Sequence, residues 1–289
     1  MKNQSAFEAF FYKTWVLIKK LPGMSAFARS AAWQIFRFKI TLLTSSRRNC
    51  HFTKFLRMPS QFNALSGPVF DYLIKSRSGR TLNVAVMGCS TGAEPYSIAS
   101  VMRSRHPDLV FTVNAYDIDR GCIDKAKSAQ YTSEEVLGSE LITSDFIQAT
   151  FDKKNGHYII KNDIRKHVHF YVADVQDLKL PEKIGTFDIV YVQQLLIHLK
   201  QKQAIKGFKN ICRLLNPKAA LFVAGVELGM LVKLTRMNNL YPCDYNIEEI
   251  NKEVCMYDGG WPWVYWGREP FMITRRDWKR RYSTIFLKS

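Results

Sequence analysis

Two glycines bracket the segment Gly88-Cys89-Ser90-Thr91-Gly92, which ends an apolar run and is followed at once by Glu94. Glycine permits a tight turn and close approach of a ligand. A helix opening after such a turn presents backbone N–H groups that lack partners. A dinucleotide turn would read Gly-x-Gly-x-x-Gly, spaced to seat a pyrophosphate. The spacing here is Gly-x-x-x-Gly, and the Glu94 carboxylate would repel a pyrophosphate and attract an ammonium. Asp117 closes the next apolar run, where an acidic side chain can accept both hydroxyls of a ribose. A ribose and an ammonium on one ligand point to S-adenosylmethionine. Asp117 also has a plainer reading, as a loop carboxylate near the helix that starts at Arg120, although Asp119 is better placed to cap that helix.

These residues need elements to hold them. Residues 82–87, LNVAVM, form a short apolar run typical of a buried parallel strand, with a helix expected from Ala93 to Arg103. A second strand and helix are expected at Leu109 to Tyr116 and Arg120 to Ser128, and further strands at Val168 to Val172 and Phe187 to Val192. Lys200 to Leu215 reads as a helix ended by Asn216-Pro217, with a strand from Ala219 to Gly225 and a tail, Tyr282 to Leu287, that could close the sheet. Alternation of this kind predicts an α/β, Rossmann-like fold around a mostly parallel, doubly wound sheet. Residues 51–289 would form this domain, interrupted by a small polar insertion at 130–167 and a Trp-rich one at 228–269. Residues 1–50 read as two helices broken at Leu21-Pro22-Gly23, a short basic region with nine Lys or Arg against the single acid Glu8.

The chain has 289 residues, 47% of them hydrophobic, and a formal net charge of +17, so a folded protein with a long-range pull on anionic partners is expected. Six cysteines with no Cys-x-x-Cys pair and no zinc-like spacing indicate neither a metal site nor a disulfide framework. A reduced, cytoplasmic setting fits, as no apolar run reaches membrane-spanning length and the start lacks a cleavable signal pattern. Phe10, Phe11, Trp15 and Ile18 mixed with Lys13, Lys19 and Lys20 would suit either a helix lying peripherally on a membrane surface or one packed on its own domain. Nucleic acid is disfavoured, because charge alone supports it and no recognition module accompanies the charge.

The segment GCSTGAEPYSIA, Gly88 to Ala99, closely resembles the signature of the chemotaxis-receptor (CheR-type) glutamate methyltransferases. Upstream, TKFLRMPSQF (Thr53 to Phe62) resembles that family's linker, and downstream AYDIDRGCIDKAKSAQYT (Ala115 to Thr132) resembles its ribose-binding stretch. GHYIIKNDIRKHVHF, FDIVYVQQLLIHL and LFVAGVE extend the similarity to about residue 227. The resemblance implies methyl transfer from S-adenosylmethionine to a carboxylate, a protein glutamate above all. Thr91 and Glu94 would surround the methionine moiety, Asp117 the ribose, Asp174 with Val175 the adenine, and Arg57 would approach the reaction centre. Gly88, Ser90, Gly92, Ile118, Gln193 and Gln194 complete the expected cofactor-binding set.

This chain has Gln193, Gln194 and His198 where the family shows Arg-Asn and, four residues on, Tyr. Asp174 stands where the family has Asn. His198 is either a general base, which would favour a small-molecule hydroxyl or amine acceptor, or a packed structural histidine. Trp261, Trp263, Tyr265 and Trp266 either line an aromatic acceptor pocket or fill core. A third reading is an adaptor that binds S-adenosylmethionine without catalysis. The acceptor could be an acidic protein or a small molecule, and the basic first fifty residues either dock an acidic partner or form a solvated face.

Overall fold

The computed structural model describes residues 21–24, 53–75, 81–139, 141–255 and 271–289. The helices expected within residues 1–50 and the tryptophan cluster lie outside the described residues. At the expected break, Leu21 to Met24 form a bend and turn, closed by the Met24 N–H donating to the Leu21 carbonyl.

Seven strands make the main sheet in the order β6-β2-β1-β7-β8-β10-β9. They are β1 (Thr81–Met87), β2 (Val110–Asp117), β6 (Val168–Val172), β7 (Phe187–Gln193), β8 (Leu215–Ala224), β9 (Leu240–Pro242) and β10 (Ile285–Lys288). β1, β2, β6, β7 and β8 are parallel, whereas β10 runs antiparallel to β8 and β9. The run Val84 to Met87 is apolar throughout because both faces are covered there, while Asn83, nearer the start of β1, is exposed. Val84 and Val86 pack into one core, Ala85 and Met87 into the other.

The helix α1 (Pro59–Ala64), α2 (Ala93–Arg105) and α3 (Arg120–Ser128) bury Phe62, Ile98 and Ile123 in the first core. The second core receives Phe208 from α4 (Gln201–Arg213) and Leu231 from α5 (Leu228–Met237). Asp119 caps α3 as its position implies, accepting from the Cys122 N–H at 3.1 Å. Beyond β9 come α6 (Ile247–Cys255) and α7 (Trp278–Tyr282). No helix among the described residues is long and apolar enough to cross a membrane.

Two boundaries differ from expectation by three residues or more. β8 starts at Leu215 and runs through Asn216-Pro217, because the pairing with β7 shifts register between Phe187 and Ile189 and so absorbs a residue with no N–H. Tyr282 ends α7, and the closing strand begins only at Ile285.

Within residues 130–160 a separate antiparallel sheet, β3-β5-β4, forms from β3 (Gln130–Tyr131), β4 (Phe151–Lys154) and β5 (His157–Ile160). It is seated against the linker, since Phe55 packs edge-on to Tyr131 and Phe151 with ring centroids 4.8 and 5.0 Å apart.

Candidate functional site

The chain leaves β1 toward β2 and β6 on one side and later returns to β7 and β8 on the other, so the carboxyl ends of β1 and β7 flank a topological switch point. Open α/β sheets bind ligands at that crevice. The glycine turn lies there, with Gly88, Ser90 and Gly92 all at positive φ (75°, 48° and 91°). The Gly88 and Cys89 N–H groups both donate to the Tyr116 carbonyl, at 2.8 and 3.0 Å. Tyr131 donates its hydroxyl to the Thr91 carbonyl at 2.7 Å and holds the turn from below.

Asp117 ties the two strand ends together. Its Oδ2 accepts from the Ser90 N–H at 2.8 Å and its Oδ1 from the Asp119 N–H at 3.0 Å. Capping α3 falls to Asp119, and each Asp117 oxygen keeps a further lone pair for another donor. Beside it Ile118 and Val172 are 64% and 47% exposed, an apolar lip on a polar anchor.

The other expected residues divide. Asp174 stands in the loop after β6, where its Oδ1 accepts from the Gln176 N–H at 2.8 Å. The Val175 side chain is buried in the second core and its carbonyl accepts from Asn210 Nδ2 at 2.8 Å. Gln193 ends β7 and donates from Nε2 to Gln61 Oε1 at 3.0 Å, while its buried Oε1 has no hydrogen-bond partner among the described residues. Gln194, at φ 55°, packs so close to Gly225 that a Cβ there would come within 2.5 Å of its Oε1. His198 closes the short 3-10 turn Leu196–His198, its N–H donating to the Leu195 carbonyl at 3.2 Å. Leu195 itself abuts Gly88, where a Cβ would meet it at 3.1 Å.

Arg57 enters from the linker. Leu56, at φ 46°, donates its N–H to Ser97 Oγ on α2 at 3.0 Å. Burial pushes the Glu94 carboxyl from 4.5 up to about 7, partly offset by the Arg57 charge, so the two groups lie within electrostatic reach. Tyr191, buried on β7 with its hydroxyl unpartnered among the described residues, is held up by burial and then by the Glu94 charge. Sequence reasoning missed Tyr131, Ser97, Gln61 and Tyr191. Only Ser97 left a local signal, lying three residues after Glu94 on the same helix face.

A family model described as CheR methyltransferase, SAM binding domain, matches residues 51–243. The chain belongs to the CheR family. The probable biofilm formation methyltransferase WspC of Pseudomonas putida is 30% identical over 183 residues, 63% of this chain and 42% of the relative. Chemotaxis protein methyltransferase 2 of Vibrio cholerae is 27% identical over 192 residues, 65% of this chain and 64% of the relative. The chain therefore spans less than two thirds of the length of these relatives. Among solved structures, magnesium protoporphyrin IX methyltransferase from Synechocystis PCC 6803 with bound SAM aligns with 100% of both chains at 13% identity and a TM-score of 0.40.

The donor set suits the CheR cofactor, S-adenosylmethionine. A glycine cradle with no room for a side chain, two carboxylates and the Gln193 amide oxygen, unsatisfied among the described residues, supply acceptors and negative charge, which a cationic sulfonium amino acid with ribose hydroxyls would satisfy.

Proposed function

We propose that this CheR-family chain transfers the methyl group of S-adenosylmethionine to a carboxylate, with a glutamate side chain of an acidic protein as the favoured acceptor. The observation that carries this reading is the linker cation Arg57, whose neighbour Leu56 is tied at 3.0 Å to Ser97 on the helix that carries Glu94, set in electrostatic reach of that carboxylate beside the glycine turn. Glu94 takes the donor's ammonium, with Thr91 beside the methionine moiety. Asp117 takes the ribose hydroxyls, and Ile118 and Asp174 border the adenine. Val175 acts only through its backbone, because its side chain is committed to the core.

Methyl transfer from a sulfonium is an in-line displacement, in which holding donor and acceptor in line contributes up to about 7–11 kcal/mol. A glutamate, with a pKa of about 4.3, is already anionic at neutral pH and needs orientation by a cation, not a base. Arg57→Ala should lower turnover roughly 10–100-fold, the range for losing one charged hydrogen-bond partner, with donor affinity falling by less, through the further rise of the Glu94 carboxyl once the Arg57 charge is gone. His198→Gln should leave transfer to a carboxylate nearly intact. The acceptor class is read by incubating the protein with cell extract and methyl-labelled donor, then treating with alkali. Volatile methanol supports an ester. Label that resists alkali points to an ether or methylamine and to His198 as base, and tight donor binding without transfer points to an adaptor.

The Glu94 carboxyl also sets a pH dependence. Its value in the fold, about 7, exceeds its ordinary 4.5. Its contribution to the stability of the ligand-free protein is therefore fully present below about pH 4.5 and lost as pH rises through 7. Donor binding runs the opposite way, because an ammonium favours the ionised carboxylate and stays protonated itself below about pH 7. Calorimetry should show S-adenosylmethionine binding weakening about fivefold from pH 7 to pH 6 and about tenfold per unit below that. Glu94→Gln should bind weakly and without this slope; a slope that persists in this variant assigns the titration to another group.

A further inference from the structure

We infer that Glu253, on α6, is a positioning residue for Arg57: it fastens the first turn of α1 and so fixes where the Arg57 loop stands relative to Glu94. This rests on the methyl-transfer reading above. Glu253 is only 8% exposed, and its carboxylate accepts from the Ser60 N–H at 3.1 and 3.0 Å and from the Ser60 hydroxyl at 2.7 Å. It lies outside residues 51–243, the span the family model covers.

The chain around Arg57 explains why such a clamp matters. Pro59 opens α1 and has no N–H, so Ser60 carries the first amide of that helix in need of an acceptor. On the other side of Arg57, Leu56 is held at φ 46° by its hydrogen bond to Ser97 Oγ. A leucine in the left-handed region costs roughly 1–2 kcal/mol and persists only where its surroundings impose it. Arg57 is thus strung between an anchor on α2, which also carries Glu94, and an anchor on α6. A second tie repeats the pattern one residue later, where Gln61 Nε2 donates to Thr284 Oγ1 and Gln61 Oε1 accepts from Gln193. Burial raises the Glu253 carboxyl, and the Ser60 donors hold it down, as expected of an anion kept inside by dedicated N–H and O–H groups.

The test compares Glu253→Ala, Glu253→Gln, Arg57→Ala and the double variant Glu253→Ala/Arg57→Ala in the full chain. A misplacement of about 1 Å in a positioning group can cost up to about 100-fold in rate, so Glu253→Ala should lower turnover at least tenfold while the dissociation constant for S-adenosylmethionine holds. Glu253→Gln, which keeps one acceptor oxygen and the side-chain shape, should recover most of that loss. In the Arg57→Ala background, adding Glu253→Ala should change turnover less than about twofold. An undiminished loss there means that Glu253 acts elsewhere and overturns the proposal. Hydrogen exchange supplies a readout that needs no activity. In Glu253→Ala the amides of both Ser60 and Leu56, on either side of Arg57, should exchange about tenfold faster or more. No change at Ser60, or a change that stops short of Leu56, overturns the positioning role even if the wild-type chain transfers no methyl group. A wild-type chain that fails to bind the donor sinks the methyl-transfer reading instead, and the two failures stay distinct.

Discussion

Asp117→Ala should raise the dissociation constant for S-adenosylmethionine about 1,000-fold, equivalent to about 4 kcal/mol. The substitution acts twice. In the proposed site it removes a charged acceptor that would serve the ribose hydroxyls, each such bond contributing roughly 1.5–3 kcal/mol. It also releases the Ser90 and Asp119 N–H groups, now held at 2.8 and 3.0 Å, so the glycine turn loses its side-chain tie to the end of β2 and keeps only the backbone bonds of Gly88 and Cys89 to Tyr116. Asp117→Asn should fall between, since its amide keeps one acceptor oxygen but turns an NH2 toward an N–H donor. Calorimetry with S-adenosylhomocysteine reads the effect without turnover. A loss below about tenfold, accompanied by a lower melting temperature, would assign Asp117 to the turn alone.

Gly92→Ala should destabilise the protein by roughly 2–5 kcal/mol, from left-handed backbone strain of about 1–2 and overpacking of about 1–3. Gly92 sits at φ 91°, and a Cβ there would meet Ala126 Cβ at 2.9 Å, the Tyr131 hydroxyl at 3.0 Å and Phe170 Cζ at 3.2 Å. None of these can yield easily. Ala126 belongs to α3, Phe170 to β6, and the Tyr131 hydroxyl is engaged by Thr91. The expected fall in melting temperature is on the order of 10 °C, with donor binding lost as well. Gly156→Ala is the control. Gly156 has φ 75° in the β4–β5 turn but nothing within 4 Å of a new Cβ, so only backbone strain applies and the cost should stay near about 1 kcal/mol. Equal effects at the two glycines would mean that packing beneath the turn does not matter.

Much of this molecule is legible along the chain, because its signals are local. The apolar runs of β1 and β7 stand out since both faces of those strands are covered, whereas β2 and the edge strand β6 bury mainly alternate residues, Phe111, Val113 and Ala115 in one and Val168 and Phe170 in the other. The glycine turn, Glu94 and the Asp119 cap follow from spacing of a few residues. The strain at Leu56 has no counterpart in residue type, and Asn216-Pro217 misled because a register shift lets a strand pass through a proline.

Residue order by itself determined the parallel strands of the main sheet, apart from the start of β8, together with the turn and the charged groups that could grip a sulfonium nucleoside. Tertiary structure alone decided that β10 inserts antiparallel between β8 and β9, that Asp117 spends one lone pair per oxygen on the backbone, and that Val175 faces the core. It also decided the ties from Ser60 to Glu253 and from Gln61 to Gln193 and Thr284, across separations of 193, 132 and 223 residues. Periodicity records which face of an element is buried, but it carries no information about which distant acceptor will meet a given buried donor. That pairing exists only once the sheet has brought the two ends of the chain together.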